Sequence, residues 1–297
     1  MKQTTKAHLA LLATNIFFAV NFTAVKSLIN DGFINPFGLN IVRVGVCMIL
    51  LWVLFIFKPV RSGIAKKDWG RFFLCALTGI AVNQLFFVKG LSLTYSIHAS
   101  LLMLTTPILI TFIAAWILKE RLNNFKLAGL ALGIGGALVL VTAKESSGSG
   151  EDVLLGDLFI LINAVSYTFY FVLVKPLMKA YNPIVVLRMI FTIGFFLMLP
   201  FCFQEFTEIP WSSYGARETA VLSLIVIGGT FLAYLFNIYG IKILGASIAG
   251  TYIYSQPLFA ATIAIIFLGE QLSLYKVIAG LLIFAGVFLA NKTKSNG

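Results

Sequence analysis

Residues 105–136 read TTPILITFIAAWILKERLNNFKLAGLALGIGG, and residues 255–286 read SQPLFAATIAIIFLGEQLSLYKVIAGLLIFAG. Each stretch is an apolar run that follows a proline, a short polar turn that contains a glutamate, and a second apolar run rich in glycine. At an offset of 150 residues, Pro107 aligns with Pro257 and Glu120 with Glu270. Self-similarity at a fixed offset indicates an internal repeat.

The repeat extends beyond these two stretches. Further aligned pairs are Gly90 and Gly240, Lys126 and Lys276, Lys26 and Lys175, Asn35-Pro36 and Asn182-Pro183, and, after one inserted residue, Gly129 and Gly280. The alignment predicts a first repeat over 8–143, a linker over 144–153 and a second repeat over 154–291.

Composition places both repeats in a membrane. Of the 297 residues, 60% are hydrophobic and 11% are charged, whereas soluble domains average about 45–50% apolar and 25% charged residues. A soluble fold of this length could not bury so much apolar surface, and a disordered chain would be far more polar. The three cysteines lie in apolar runs and the chain has two histidines, so neither a disulfide framework nor a metal site is supported. We predict an all-α polytopic membrane protein with no metal or other cofactor.

Ten segments have about the 20 apolar residues that a spanning helix needs. They are 8–29, 36–57, 70–90, 97–118, 124–143, 154–179, 184–203, 218–240, 246–268 and 273–291. The first follows Lys2 and Lys6, as a signal peptide would. It is too long for one, however, and no small-residue cleavage site follows it. We therefore expect it to be retained as a transmembrane helix.

The basic residues predict the orientation of the spans. With the N-terminus inside, 15 Lys and Arg fall in cytoplasmic stretches, 5 fall on the outer side, and Arg43 and Arg188 lie within spans. By the positive-inside rule both termini are cytoplasmic and the linker faces outward. We accordingly expect a multi-pass protein of the plasma membrane, in a bacterium the inner membrane.

The arrangement of the repeats suggests a mechanism. Each repeat holds five spans, an odd number, so the second copy enters the membrane from the opposite face. Inverted repeats are typical of transporters that alternate between two openings around a site near the midplane. The pattern therefore favours a transporter over a static bundle.

The paired segments resemble a known family. Each segment has a glycine-containing helix, a proline within the next helix, a short turn and a glycine-rich helix, and the turn reads LKERL at 118–122 or LGEQL at 268–272. This pattern looks like the EamA-type domain of the drug/metabolite transporter superfamily, present twice. The resemblance implies ten helices in an inverted five-plus-five arrangement and a central cavity lined by helices 1, 3, 4, 6, 8 and 9. It also implies alternating-access export of small metabolites such as amino acids. The second copy has Gln271 where the first has Arg121, which leaves Glu270 without an adjacent basic partner.

Polar side chains near mid-span are the candidate substrate-binding residues. Amide and phenol groups bind polar solutes without the cost of placing a charge in hydrocarbon, although they also bond helices to one another. The candidates are Asn15, Asn21, Asn83, Gln84, Tyr167, Tyr170, Tyr234, Asn237, Tyr252 and Gln256. Phe18 and Phe22 share a helix face with Asn15, which predicts an amphipathic wall. A cavity of this composition favours neutral or zwitterionic solutes.

Pro107 and Pro257 are candidate hinges. A proline within a helix removes a backbone hydrogen bond and clashes with the carbonyl four residues earlier, here that of Met103 or Ile253. The symmetry of the two positions favours a pair of hinges, and a static kink that improves packing is the alternative.

The charged residues within or near the spans have several roles open to them. For Arg43 and Arg188 the symmetry suggests a structural role, such as capping carbonyls, with anion binding as the alternative. We expect Glu120 and Glu270 to pair with nearby bases or to cap the following helix. Since no Asp or Glu lies at mid-span and His98 is peripheral, facilitated diffusion is favoured over proton-driven exchange.

The sequence leaves other functions and several partners open. A carrier or flippase for nucleotide sugars or lipid-linked substrates would be supported by Arg and Lys in the cavity. An intramembrane enzyme would need motifs that the sequence lacks, such as His-Glu-x-x-His or Gly-x-Ser-x-Gly, and a structural or sensor bundle would carry no solute. The expected partners are a small-molecule substrate and the lipid bilayer, and not nucleic acid. The glycines around Gly129 and Gly280 suit close packing within one chain or across a homodimer.

Overall fold

The computed structural model of this protein describes residues 2–57, 59, 63–118, 124–142, 152–245, 249 and 252–290, and all regular secondary structure in these ranges is helical. In chain order the helices are α1 (Gln3–Asn30), α2 (Pro36–Phe57), α3 (Lys66–Leu93), α4 (Ser96–Met103 and Thr106–Leu118), α5 (Asn124–Thr142), α6 (Val153–Ala180), α7 (Pro183–Thr207), α8 (Ala216–Leu244), α9 (Gln256–Leu268) and α10 (Leu274–Ala290). Seven of these, α1–α3 and α5–α8, are long and apolar enough to cross a membrane, whereas α4, α9 and α10 are shorter apolar helices. The chain therefore has the architecture of an all-α, multi-pass membrane protein.

Two of the helix starts follow directly from the sequence. The helices α2 and α7 begin at Pro36 and Pro183, where each Asn-Pro pair predicts a break. The Asn182 side chain accepts a hydrogen bond of 2.9 Å from the Ile184 N–H, as a helix N-cap does. Most of the predicted linker 144–153 lies outside the described residues, and so does Glu120 with its neighbours Arg121 and Leu122.

Two predicted continuous helices are broken. In α4 the first segment ends at Met103 and the second begins at Thr106, while a 3-10 turn over Tyr252–Ser255 precedes α9. Pro107 and Pro257 therefore lie in the first turn of an α-helical segment, and not in the middle of a regular α-helix as the sequence predicted. The physical reason is that proline's missing N–H leaves no bond unmade in a first turn, where it would remain unpaired in any case.

The helices α3 and α8 each contain a π-helical segment, over Leu77–Ala81 and Leu224–Leu232. The two segments overlap at the repeat offset of 150 residues. Such wide turns displace backbone carbonyls from the regular helical pattern and often occur at functional sites.

Helix contacts come in matched pairs. The helix α1 packs on α8 and α9, and its repeat equivalent α6 packs on α3 and α4, the equivalents of α8 and α9. The remaining large contacts join equivalents to each other, α2 with α7 and α5 with α10. Lys26 near the end of α1 and Asp157 near the start of α6 both hydrogen-bond to Thr94, so equivalent helices run in opposite directions.

Glycine permits the close contact between α5 and α10. A Cβ atom on Gly286 would lie 2.6 Å from the carbonyl oxygen of Gly129 and 2.7 Å from the nitrogen of Gly133. Since the two backbones touch, the glycines of α5 and α10 serve close helix packing within one chain.

Candidate functional site

A central cavity lies between the two halves of the chain. The space that it encloses, including the part open to solvent, is about 840 Å³. Residues from α1, α2, α3, α4, α6, α8 and α9 line it, together with Ala249 and Ile253. Phe18 and Phe22 contribute aromatic surface beside Asn15 on α1, as the predicted amphipathic wall requires.

The structure brings most of the predicted polar residues together at this cavity. Those that line it are Asn15, Asn21, Asn83, Gln84, Tyr167, Tyr234, Asn237 and Gln256. Tyr170 lines an adjoining cavity instead. Tyr252 is not among the described lining residues of either cavity, and its hydroxyl lies 2.7 Å from Nδ1 of His8 at an exposed position.

Hydrogen bonds join the lining residues of the two halves. Gln256 Nε2 donates to Asn15 Oδ1 over 2.6 Å. Gln84 Nε2 donates to the Tyr234 hydroxyl over 3.0 Å. Gln84 and Tyr234 are equivalent at the offset of 150 residues, so this bond connects the same position of the two repeats across the middle of the cavity.

Three further polar side chains, which sequence reasoning did not select, hold the backbone of α3 beside the cavity. Ser166 donates to the Thr78 carbonyl (2.7 Å), Asn163 to the Asn83 carbonyl (2.7 Å) and Asn40 to the Gln84 carbonyl (3.0 Å). These carbonyls lie in or just after the π segment, so the side chains stabilise its irregular backbone. Asn163 precedes Tyr167 by one helical turn, so the two residues share a helix face. That spacing was the feature of the sequence that could have identified Asn163 as a residue of the cavity.

Glycines in the π segments let cavity residues pack close to the backbone. A Cβ on Gly79 would lie 2.6 Å from Cγ of Tyr170, and one on Gly229 would lie 2.9 Å from Cγ of Asn21. Carbon atoms in contact are normally about 3.5–4.0 Å apart, so neither position has room for a larger residue without displacement of its neighbour.

Arg43 also lines the cavity, for which the sequence predicted neutral groups. It is 2% exposed, and its Nε donates to Thr230 Oγ1 over 3.1 Å. The Thr230 hydroxyl in turn donates to the Ile225 carbonyl within the π segment of α8. Arg188, its counterpart on α7, is absent from the described lining and has its guanidinium carbon 3.5 Å from the ring centre of Phe55. The expectation of an uncharged cavity is therefore wrong, because the side chain of Arg43 points to α8 and not to the nearest helix end.

The cavity continues towards one end of the bundle. A second cavity, with an empty volume of about 1,180 Å³, shares Tyr167, Phe171, Tyr234 and Asn237 with the first. Its lining reaches Lys175, Lys179 and Lys242, whose side chains are exposed. We call this the lysine end of the bundle.

Buried polar residues close the opposite end, which we call the sealed end. Lys26 lies one turn beyond the cavity residue Phe22 and donates to the carbonyls of Leu91 and Thr94. The Thr94 hydroxyl donates to Asp157 Oδ1, and Asp157 Oδ2 lies 3.0 Å from His98 Nδ1. The side chains of His98 and Asp157 are fully buried. His98 is thus half of a buried pair with an acid, where the sequence suggested an isolated peripheral residue.

Glu270 contributes to the sealed end in an unexpected way. Its carboxylate accepts hydrogen bonds from the backbone N–H groups of Ser96 (2.7 Å) and Ile97 (3.0 Å), at the start of α4. It therefore caps α4, whereas the sequence suggested a nearby base or the following helix α10 as its partner. A carboxylate stabilises a helix N-terminus because it accepts from unpaired N–H groups and complements the helix dipole.

Comparison with known proteins identifies the fold and the family. The model of the EamA-like transporter family matches residues 5–142 and again residues 154–292. The chain is 25% identical to an uncharacterized transporter of Archaeoglobus fulgidus, with 96% of both chains covered. It is 24% identical to the uncharacterized transporter YyaM of Bacillus subtilis, over 96% of this chain and 93% of that one. It is 26% identical to Protein WALLS ARE THIN 1 of Arabidopsis thaliana, over 97% of this chain and 83% of that one.

A solved crystal structure has the same fold, with a TM-score of 0.64 at 20% identity over 97% of this chain and 96% of that one. The family model covers both halves of the chain, which confirms the resemblance seen in the sequence. This protein belongs to the EamA-like transporter family.

Proposed function

We propose that this membrane transporter works by alternating access and exports small polar metabolites such as amino acids. Its ten spans form two inverted repeats, with the substrate at the cavity between them. The observation that carries the proposal is this cavity, which lies between matched halves and is sealed at one end and continuous with exposed lysines at the other. A site between inverted repeats that opens to one side at a time is the arrangement that alternating access requires.

The charge distribution supports a cytoplasmic position for the lysine end and for both termini. Lys175, Lys179 and Lys242 line that end, and Lys and Arg are concentrated on the cytoplasmic side of membrane proteins. The conformation described is then inward-open, ready to load solute from the cytoplasm of a bacterial cell across its inner membrane.

Pro107 and Pro257 are proposed hinges in this cycle. Both lie directly after a break in a helix that lines the cavity, and a break of this kind lets the two helical segments rotate separately. Matched breaks in the two halves would allow the same motion to open either end.

Facilitated diffusion remains the proposed mode of transport. Among the described residues, no Asp or Glu lines the central cavity. The buried pair of His98 and Asp157 at the sealed end supplies the one observation in favour of proton coupling, since intramembrane ionisable pairs often relay protons.

Reconstitution tests both parts of the proposal. Purified protein in proteoliposomes is expected to release preloaded amino acids faster than protein-free liposomes, and to equilibrate them without accumulation when a pH gradient is imposed. Accumulation that follows the pH gradient would overturn facilitated diffusion. Absence of flux for every polar metabolite in a broad panel would overturn the transport proposal and favour a sensor or structural role.

A further inference from the structure

We infer that the transported solute carries a single carboxylate group and that Arg43 binds it in the central cavity. This inference rests on the proposed transport function and narrows its substrate class. It assigns Arg43 as the residue that determines specificity.

Arg43 lies at the central cavity with one guanidinium nitrogen that the described residues leave unpaired. The residue is 2% exposed and lines the cavity. Thr230 fixes its Nε, whereas its Nη1 has no hydrogen-bond partner in the part of the chain that the structure describes. A buried cation with an unpaired N–H is costly, because the charge has lost its water without gaining an anion. A carboxylate in the cavity removes that cost, since its two oxygens match the planar donor array of a guanidinium.

Nothing in the described lining neutralises Arg43. It is the one charged residue among the described residues that line the central cavity, and Lys175, Lys179 and Lys242 are the charged residues among those that line the adjoining one. The described part of the path is therefore positive from the lysine end to the middle of the bundle. A positive funnel raises the local concentration of anions and their rate of entry.

The number of charges favours a monocarboxylate over a nucleotide sugar. One guanidinium compensates one negative charge, and a nucleotide sugar carries two on its diphosphate. The described lining of the central cavity holds no second cation for the other charge, and a low dielectric constant makes an isolated charge expensive. The exposed lysines line the adjoining cavity and not the central one.

The rest of the cavity fits an organic acid with a polar group and an apolar body. The side-chain oxygens of Asn21, Gln84 and Asn163 have no hydrogen-bond partner among the described residues. They suit the ammonium or hydroxyl donors of a solute. Amino acids and simple organic acids both meet this description, and the carboxylate is the feature that they share.

Ligand-induced stabilisation of the full-length protein tests the inference. The probes are carboxylates and their amide twins, namely phenylalanine and phenylalaninamide, leucine and leucinamide, and phenylacetate and phenylacetamide, together with UDP-glucose. A ligand that binds the folded protein raises its Tm in proportion to the logarithm of its concentration over Kd. We expect carboxylates to bind more tightly than their amide twins, and Arg43→Gln to weaken carboxylate binding about 10- to 100-fold, the range for a lost hydrogen bond to a charged group.

Two further variants are controls for the effect of Arg43→Gln on carboxylate binding. Arg43→Lys keeps the charge but loses bidentate geometry, so we expect an intermediate loss of carboxylate affinity. Arg188→Gln removes the repeat counterpart, which stacks on Trp52 and Phe55 outside the described cavity lining, and is expected to preserve the preference for carboxylates. Phenylalanine against phenylacetate then distinguishes an amino acid from a simple organic acid.

Each outcome bears on one claim. Any of four results would overturn the inference. They are equal binding of amides and carboxylates, no binding of any carboxylate, an unchanged preference for carboxylates in Arg43→Gln, and tightest binding of UDP-glucose. Flux of the same probes in proteoliposomes, above that of protein-free liposomes, separates it from the proposed function. Binding that depends on Arg43 without flux would contradict transport alone, whereas flux without a preference for carboxylates would contradict this inference alone.

Discussion

Replacement of Glu270 by glutamine probes how the sealed end is held together. In the wild-type chain the carboxylate accepts from Ser96 N over 2.7 Å and from Ile97 N over 3.0 Å, and Glu270 is 8% exposed. Glutamine has nearly the same shape but one acceptor oxygen in place of two. Its NH₂ group would face one of the two backbone N–H groups, so a buried donor on each side would lose its partner.

The size of the effect follows from this geometry. A hydrogen bond to a charged group contributes about 1.5–3 kcal/mol, and a buried donor left unpaired costs about 1–3 kcal/mol. One of the two hydrogen bonds remains, as a weaker bond between neutral groups. The helix dipole of α4 also loses the negative charge at its N-terminus, and such a charge contributes up to about 2 kcal/mol of stability in a partly buried position. We expect Glu270→Gln to lower the free energy of unfolding by about 2–4 kcal/mol, since these contributions overlap.

Two other glutamates provide a graded control. Glu205 accepts from the N–H groups of Phe37 (2.7 Å) and Gly38 (3.1 Å) at the start of α2, in a partly buried position. Glu208 is exposed and contacts the Gln204 side chain at 3.2 Å. The same Glu→Gln change at these three positions should therefore cost most at Glu270, less at Glu205 and less than about 0.5 kcal/mol at Glu208.

Denaturant unfolding of the three variants in the same detergent measures this order. An effect of Glu270→Gln no larger than that of Glu208→Gln would refute the claim that the carboxylate caps α4. An equal effect at all three positions would indicate that overall charge, and not the capping geometry, determines stability.

Three further changes test the packing. Gly79→Ala forces a Cβ against Tyr170 and should lower Tm by the equivalent of about 1–3 kcal/mol, whereas Gly70→Ala on the same helix meets open space and should leave Tm unchanged or raise it. Asp157→Asn leaves one buried partner without its acceptor and should cost about 1–3 kcal/mol in denaturant unfolding. Gly286→Val separates α5 from α10 and should lower the yield of monodisperse protein in size-exclusion chromatography; an unchanged profile would contradict the close contact.

Part of the site could be predicted from sequence and part could not. The mid-span polar residues were selected because amides and phenols in apolar runs are rare, and eight of them line the cavity. Tyr252 met the same criterion, yet it contacts His8 at an exposed position, because its helix is interrupted before Gln256. Arg43 was placed within its span, but hydropathy shows depth along the chain and not the direction of a side chain.

The membrane class, the two copies and the division into apolar segments follow from the amino-acid sequence alone. These properties are local, since in lipid a helix satisfies its backbone hydrogen bonds within its own segment. Which side chains contact one another, in contrast, depends on the packing of the helices. Glu270 caps a helix 174 residues away, and Arg43 meets a threonine 187 residues away. Contacts of that separation depend on how helices pack against one another, which the hydropathy of a single segment does not encode.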